Sequence, residues 1–143
     1  MTTDAAQVEH ASAVSVGGRG LLIRGAAGRG KSSLALQMMA LGARLVSDDR
    51  TVVRRERAQI LLAAPEAIAG LIEARGIGLL HADIAPAVLH AVVDLDRDEP
   101  ERLPPVRHTD VMGQSVVLLF GGRHVSFPAA LMQYLKRQRA DDR

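Results

Sequence analysis

The stretch Gly20-Leu-Leu-Ile-Arg-Gly-Ala-Ala-Gly-Arg-Gly-Lys-Ser-Ser-Leu-Ala-Leu-Gln-Met-Met-Ala-Leu-Gly42 decides how this chain folds. Its first residues, Gly20 to Arg24, are a short apolar run of the kind that makes a buried strand. The run feeds directly into Gly25-Ala26-Ala27-Gly28-Arg29-Gly30-Lys31-Ser32, which fits G-x-x-x-x-G-K-[ST] without mismatch. Glycines at these spacings let the backbone turn tightly, so that successive N–H groups converge on a polyphosphate. The helix that follows aims its positive end at the same anion. In such a loop the lysine, here Lys31, reaches the terminal phosphates, and the hydroxyl of Ser32 ligates Mg²⁺. The expected binding set for ATP and Mg²⁺ is therefore Gly25, Ala26, Ala27, Gly28, Arg29, Gly30, Lys31, Ser32 and Ser33. By average composition a full match arises by accident in roughly one chain of this size in two hundred. Residue choice adds a second sign: of 18 basic residues only Lys31 and Lys136 are lysines, and one of them stands where the motif requires it.

Downstream, Leu34, Ala35, Met38 and Leu41 recur at helical spacing between Ser33 and Leu41, and Gly42 is placed to end the helix. Arg44 to Val46 is a second strand, ending in Ser47-Asp48-Asp49. Strand, loop, helix and strand within about thirty residues is the length of one βαβ unit, whose crossover is right-handed. Ligands of open α/β sheets lie beyond the carboxyl ends of the strands, so both aspartates are expected beside the loop. Neighbouring strand residues face opposite ways, which gives the pair different tasks. One can hold Mg²⁺ directly or through water, and the other can accept a proton from an attacking hydroxyl.

Outward from this centre the pattern is simpler. Residues 1–9 are polar and are expected to be disordered, with a single P-loop domain over 10–143. Ala13 to Val16 predicts a strand, followed by a tight turn at Gly17-Gly18. Thr51 to Arg55 and Gln59 to Ala63 predict a hairpin. Pro65 suits the first turn of a helix, which is expected to run through Ile72. Glu73-Ala-Arg-Gly-Ile-Gly78 is a short polar, glycine-rich segment. Ala87 to Leu95 and Gln114 to Phe120 predict strands, with a charged, proline-containing surface loop over 96–105. Ser126 is placed to cap a last helix, Phe127 to Arg139, whose Lys136, Arg137 and Arg139 favour its negative end.

The 143 residues are one domain's worth, 48% hydrophobic and 24% charged, a globular composition. Phe120, Phe127 and Tyr134 are the only aromatics, so the core must be aliphatic, and the composition argues against a base-stacking nucleic-acid platform, which needs several aromatics. No cysteine is present, which removes disulfides and thiolate metal sites and fits a reducing compartment, here expected to be the cytoplasm. Net charge is only +2; the pI of about 9.7 reflects how little titrates between neutral pH and the Lys/Arg range. No basic run is dense enough for a nucleic-acid footprint, and no apolar run is long enough to span a membrane. His81, His90, His108 and His124 show no paired metal spacing.

Four features together resemble HPr kinase/phosphorylase, the bacterial family that phosphorylates a seryl residue of the phosphocarrier protein HPr. They are His10, 21 residues before Lys31; the loop GAAGRGKS; Arg44 to Asp49 (RLVSDD), a strand ending in two aspartates; and EARGIGLL from Glu73, similar to a family signature written E-I-R-G-L-G-I. The resemblance is firm from about residue 8 to 80 and weaker from Ala87 to Leu119. It implies an α/β fold with a mixed sheet, phosphoenolpyruvate-carboxykinase-like around the nucleotide. It also implies that Lys31 binds phosphate, that Ser32 and Glu73 hold Mg²⁺, that Asp49 is the proton acceptor supported by Asp48, and that His10 and Arg75 line the site. The implied partner is an HPr-type carrier of the sugar or nitrogen phosphotransferase system, with homo-oligomerisation as in the family hexamer.

Three departures qualify the resemblance. The chain looks like a short form made of the kinase domain alone. The glycine-rich loop after the signature is replaced by His81-Ala-Asp-Ile-Ala-Pro86. A late P-V-R-P-G-R-N segment that supplies an arginine is missing, and Phe120-Gly-Gly-Arg-His-Val-Ser-Phe-Pro128 stands near its place, with Arg123 not taken as its equivalent. The kinase direction is therefore expected ahead of dephosphorylation. The rival readings are a P-loop kinase of a small metabolite and a non-catalytic nucleotide-binding sensor.

Overall fold

The computed structural model describes residues 6–140. Among them the chain forms eleven strands and two α-helices. The strands are β1 (Ala6–Glu9), β2 (Ser12–Val16), β3 (Arg19–Arg24), β4 (Arg44–Ser47), β5 (Thr51–Glu56), β6 (Gln59–Ala63), β7 (Leu71–Ala74), β8 (Gly78–His81), β9 (Ala87–Asp98), β10 (Arg107–Val111) and β11 (Gln114–Gly121). The helices are α1 (Lys31–Ala40) and α2 (Phe127–Arg137).

Nine strands make one mixed sheet in the order β1-β5-β6-β9-β3-β2-β4, with β11 also on β9 and β10 on β11; β7 and β8 pair separately. β9 is the hub. It runs parallel to β3 along one edge, and its other edge is shared by β6, antiparallel, and β11, parallel. The apolar runs are continuous because both faces are buried. Leu21 and Ile23 of β3, Ala91 and Val93 of β9, and Val14 and Leu45 pack with Leu34, Met38, Leu131 and Leu135 of the helices. The alternating Leu22, Val92, Ala13 and Val46 pack on the opposite face with Val53, Ile60 and Leu62. This is the α/β, mixed-sheet architecture expected from the sequence.

The β3–α1–β4 unit forms with β2 inserted between its two strands, antiparallel to both. Gly42 ends α1 as a C′ glycine: its N–H bonds Met39 O and the next N–H, of Ala43, bonds Met38 O, each at 3.0 Å.

Several segments differ from expectation. Residues 6–9, expected to be disordered, form β1; residues 1–5 lie outside the described part. The ordering comes from partners distant in sequence. β1 pairs antiparallel with β5, and Glu9 takes two hydrogen bonds from Arg24, at 2.6 and 3.1 Å. The helix expected over 65–72 is a single 3-10 turn, Glu66–Ile68, followed by β7. Gly70, at φ 78°, breaks the helix, and beyond it burial alternates with period two, Ile72 and Ala74 inward and Glu73 outward. Residues 96–98 extend β9, and Arg107–Val111 adds β10 through pairing with β11. Finally, Ser126 occupies the N-cap of α2 without a side-chain cap bond. Pro128 removes one of the two amides that such a hydroxyl takes.

Ile72 is 1% exposed, against 70% for Leu79 across the β7–β8 hairpin. Ile72→Ala is expected to cost about 2–5 kcal/mol in urea unfolding, and Leu79→Ala no more than about 0.5 kcal/mol. Similar losses for the two would contradict the strand placement.

Candidate active site

β3, β9, β11 and β4 all run in one direction, so their carboxyl ends share one edge of the sheet. Residues 25–30 leave β3 at this edge and enter α1 directly. Gly30 is the N-cap of α1 at φ 94°, a left-handed conformation that favours glycine. No side chain caps α1 and its first turn has no acidic residue, so the helix presents bare amides and its positive end. Lys31 is buried, and its Nζ donates to Gly25 O at 2.6 Å, closing the loop upon itself. The loop residues 26–30 are exposed, Gly25 and Ser32 half-buried, and Ser33 exposed.

Asp48 lies beside the loop and is only 8% exposed. Its Oδ1 accepts hydrogen bonds from Ser32 Oγ at 2.6 Å and Ser12 Oγ at 2.9 Å, and its Oδ2 accepts from the Glu73 N–H at 3.0 Å. One carboxylate thereby joins β2, the start of α1 and β7. Ser12, fully buried, also accepts from the Asp49 N–H at 3.0 Å. That bond helps hold Asp49 at φ 68°, a left-handed conformation that aspartate tolerates better than most residues. The two aspartates consequently diverge, Asp48 inward and Asp49 outward. Asp49 Oδ2 lies 3.7 Å from His10 Nε2, with both side chains more than half exposed.

On the far side of the loop, the Asp96 carboxylate accepts from the Ala26 N–H and from Arg29 Nε, each at 3.1 Å. The Ala26 amide, then the Arg29 guanidinium, hold this carboxyl below the usual carboxylate range, outweighing a small opposing effect of burial. Arg123 pairs with Asp98 at 2.9 Å at the end of β9.

The sequence-predicted residues therefore separate into two groups. Gly25 to Ser33, Asp48, Asp49 and His10 come together at one sheet edge. Glu73 reaches Asp48 through its backbone N–H, while its side chain is exposed. Arg75 sits exposed in the β7–β8 turn, with no hydrogen bond or ion pair tying it to the loop among the described residues. Sequence reasoning missed Ser12, Asp96, Glu9 and Arg24. Ser12 carried a weak signal, a hydroxyl at the start of a mostly apolar strand that also holds Ser15. Asp96 carried another, an aspartate just beyond the apolar run of the strand that pairs with β3.

Bound oxygen ligands fit this place chemically. A serine hydroxyl and a carboxylate within hydrogen-bond distance of each other, next to bare helix amides and a buried lysine, form a donor set suited to a hard cation and a polyphosphate.

A sheet that delivers a glycine-rich turn straight into a helix, with an aspartate pair at the end of the next strand of that unit, defines a class of α/β domain organised around that turn. The comparisons narrow the class. The family model described as HPr Serine kinase C-terminal domain matches residues 3–85, more than half of the chain. The chain belongs to this family. The HPr kinase/phosphorylase of Geobacillus thermodenitrificans is 40% identical over 102 residues, covering 65% of this chain and 33% of that protein. The HPr kinase/phosphorylase of Bacillus licheniformis is 44% identical over 73 residues, 50% of this chain and 24% of that one. The chain thus spans about a third or less of the curated relatives it matches. A solved structure of the HPr(Ser) kinase/phosphatase from Coxiella burnetii superposes with a TM-score of 0.75 at 26% identity, covering 92% of this chain and 94% of that one.

Asp48→Ala removes the shared acceptor of three hydrogen bonds and is expected to cost about 1–3 kcal/mol of stability. Asp49→Asn, at an exposed site whose backbone asparagine also tolerates, should stay within about 0.5 kcal/mol. Equal losses in chemical denaturation would contradict the inward and outward division of the pair.

Proposed function

We propose that this chain is an ATP-dependent, Mg²⁺-requiring protein serine kinase domain that phosphorylates a seryl hydroxyl of an HPr-type phosphocarrier. The observation that carries the reading is the Ser32–Asp48 hydrogen bond at 2.6 Å, which puts a motif serine and a buried carboxylate at the start of the helix, with Asp49 exposed alongside. Family membership and the names of the relatives support it.

The residues divide the work. The amides of residues 28–33 and the Lys31 ammonium take the phosphate oxygens of ATP. Ser32, Asp48 and the Glu73 carboxylate form the side from which Mg²⁺ would be held. When bound, the ion neutralises charge on the phosphates. Asp49, solvent-facing, accepts the proton of the incoming seryl hydroxyl as its Oγ–P bond forms and the bond to the leaving ADP oxygen breaks. His10, 3.7 Å from Asp49, lines the site on that side. Arg75, exposed in the β7–β8 turn, would line the site once the acceptor is docked. A docked protein substrate would cover the exposed strand ends and exclude water.

The test is incubation with γ-labelled ATP, Mg²⁺, purified HPr and a panel of hydroxyl metabolites, read by mass spectrometry. Phosphoserine on HPr is expected. A labelled metabolite with unmodified HPr would show a metabolite kinase, and nucleotide binding without transfer a sensor. Asp49→Asn is expected to keep Mg-ATP affinity and lose turnover by about 10²–10⁴-fold. Lys31→Ala is expected to lose affinity itself. Wild-type turnover in Asp49→Asn would remove Asp49 from the role of base.

A further inference from the structure

The Asp96 carboxylate touches the glycine-rich loop at two points, the amide of its second residue and the guanidinium of its fifth. The approach is tight. A Cβ added to Gly25 would lie 3.2 Å from Leu95 Cβ and 3.3 Å from Arg29 Cβ, so glycine is what lets the loop lie against β9. The register of β3 on β9 sets this up, since Arg24, the last residue before the loop, pairs with Asp94. The Asp96 N–H in turn donates to Asp94 Oδ1 at 2.9 Å, which fixes the irregular stretch of β9 that carries the carboxylate.

Charge alone argues against placing a carboxylate beside a phosphate site, so its contacts decide its task. Lys31 Nζ donates to Gly25 O and meets Asp96 only as a nearby charge, without a hydrogen bond to it, and the amides that open α1 carry no side-chain cap. Asp96 therefore grips the shoulders of the loop and leaves the seat for the anion open. It also neutralises Arg29, whose side chain is 52% exposed and would otherwise be free to swing over that seat.

We propose that Asp96 is a positioning residue that clamps Ala26 and Arg29 to β9 and holds the loop in its phosphate-binding shape before nucleotide arrives. The inference rests on the reading of the loop as a nucleotide-phosphate site. Pre-forming the loop removes ordering cost from the binding step. It acts on ground state and transition state alike, so it appears in KM and not in kcat.

The experiment is Mg-ATP titration calorimetry and steady-state kinetics on the wild type, Asp96→Ala, Asp96→Asn, Arg29→Gln and the Asp96→Ala/Arg29→Gln double variant, with thermal melting of each. A charged hydrogen bond, discounted for half-exposed partners, implies that Asp96→Ala raises Kd and KM for Mg-ATP about three- to tenfold with kcat within about twofold. Asp96→Asn, which keeps an acceptor for the Ala26 amide, should fall between wild type and Asp96→Ala. It supplies the result if the alanine variant melts early. Arg29→Gln in the Asp96→Ala background should add little, because the contact is already gone. Unchanged Kd in both Asp96 variants overturns the proposal. So does tighter binding, which would make Asp96 an internal competitor of the phosphates. Loss of kcat at unchanged KM overturns it as well. Failure of the wild type to bind Mg-ATP overturns the loop reading itself and the proposal with it.

Discussion

The Asp48 carboxylate is the point on which this edge of the molecule depends. It is buried, and it takes hydrogen bonds from a β2 hydroxyl, an α1 hydroxyl and a β7 amide, groups 36, 16 and 25 residues away in sequence. A buried carboxylate without such partners would be expensive to keep. With them it becomes the fastener between the inserted strand, the helix that follows the loop and the hairpin that carries Glu73. The same contacts fix where Asp49 points, because Ser12 serves both aspartates. Architecture and proposed chemistry thus meet in one cluster: the group that ties this edge together is also the one proposed to face the cation.

β9 does for the other side of the loop what Asp48 does for the near side. Its apolar half, through Val93, is sheet core between β3, β6 and β11. Its carboxyl half is a row of charged residues: Asp94 pairs with Arg97, Asp96 with Arg29 and Asp98 with Arg123. A little further along, Glu99 pairs with Arg107, whose guanidinium lies 4.3 Å from the Phe120 ring centroid. The apolar strand thereby ends in a charged rim, and the loop is held between that rim and the Asp48 cluster.

Much of this was legible in the sequence, and the reasons are local. Gly20 to Gly42 announces itself because the strand, the loop and the helix are each specified by residues within a few positions of one another. The aspartate pair follows from its place after the next apolar run. What escaped reading depends on partners far along the chain. β1 has little apolar pattern of its own and is ordered by β5 and Arg24. β7 looked like a helix because Pro65 and a run of aliphatic residues suit one; only the alternating burial of Ile72 and Ala74 settles it as a strand. Ser12 and Asp96 carried only weak local signals for the same reason: each acts on a loop or aspartate 36 to 70 residues away.

The central claim is that the loop and the Asp48 cluster form one Mg²⁺-nucleotide site. A crystal structure with Mg²⁺ and a non-hydrolysable ATP analogue tests it most directly. The account predicts the phosphates on the amides of residues 28–33 and on Lys31, and the cation against Ser32 and Asp48. A nucleotide seated elsewhere, or a cation held away from both side chains, would contradict it.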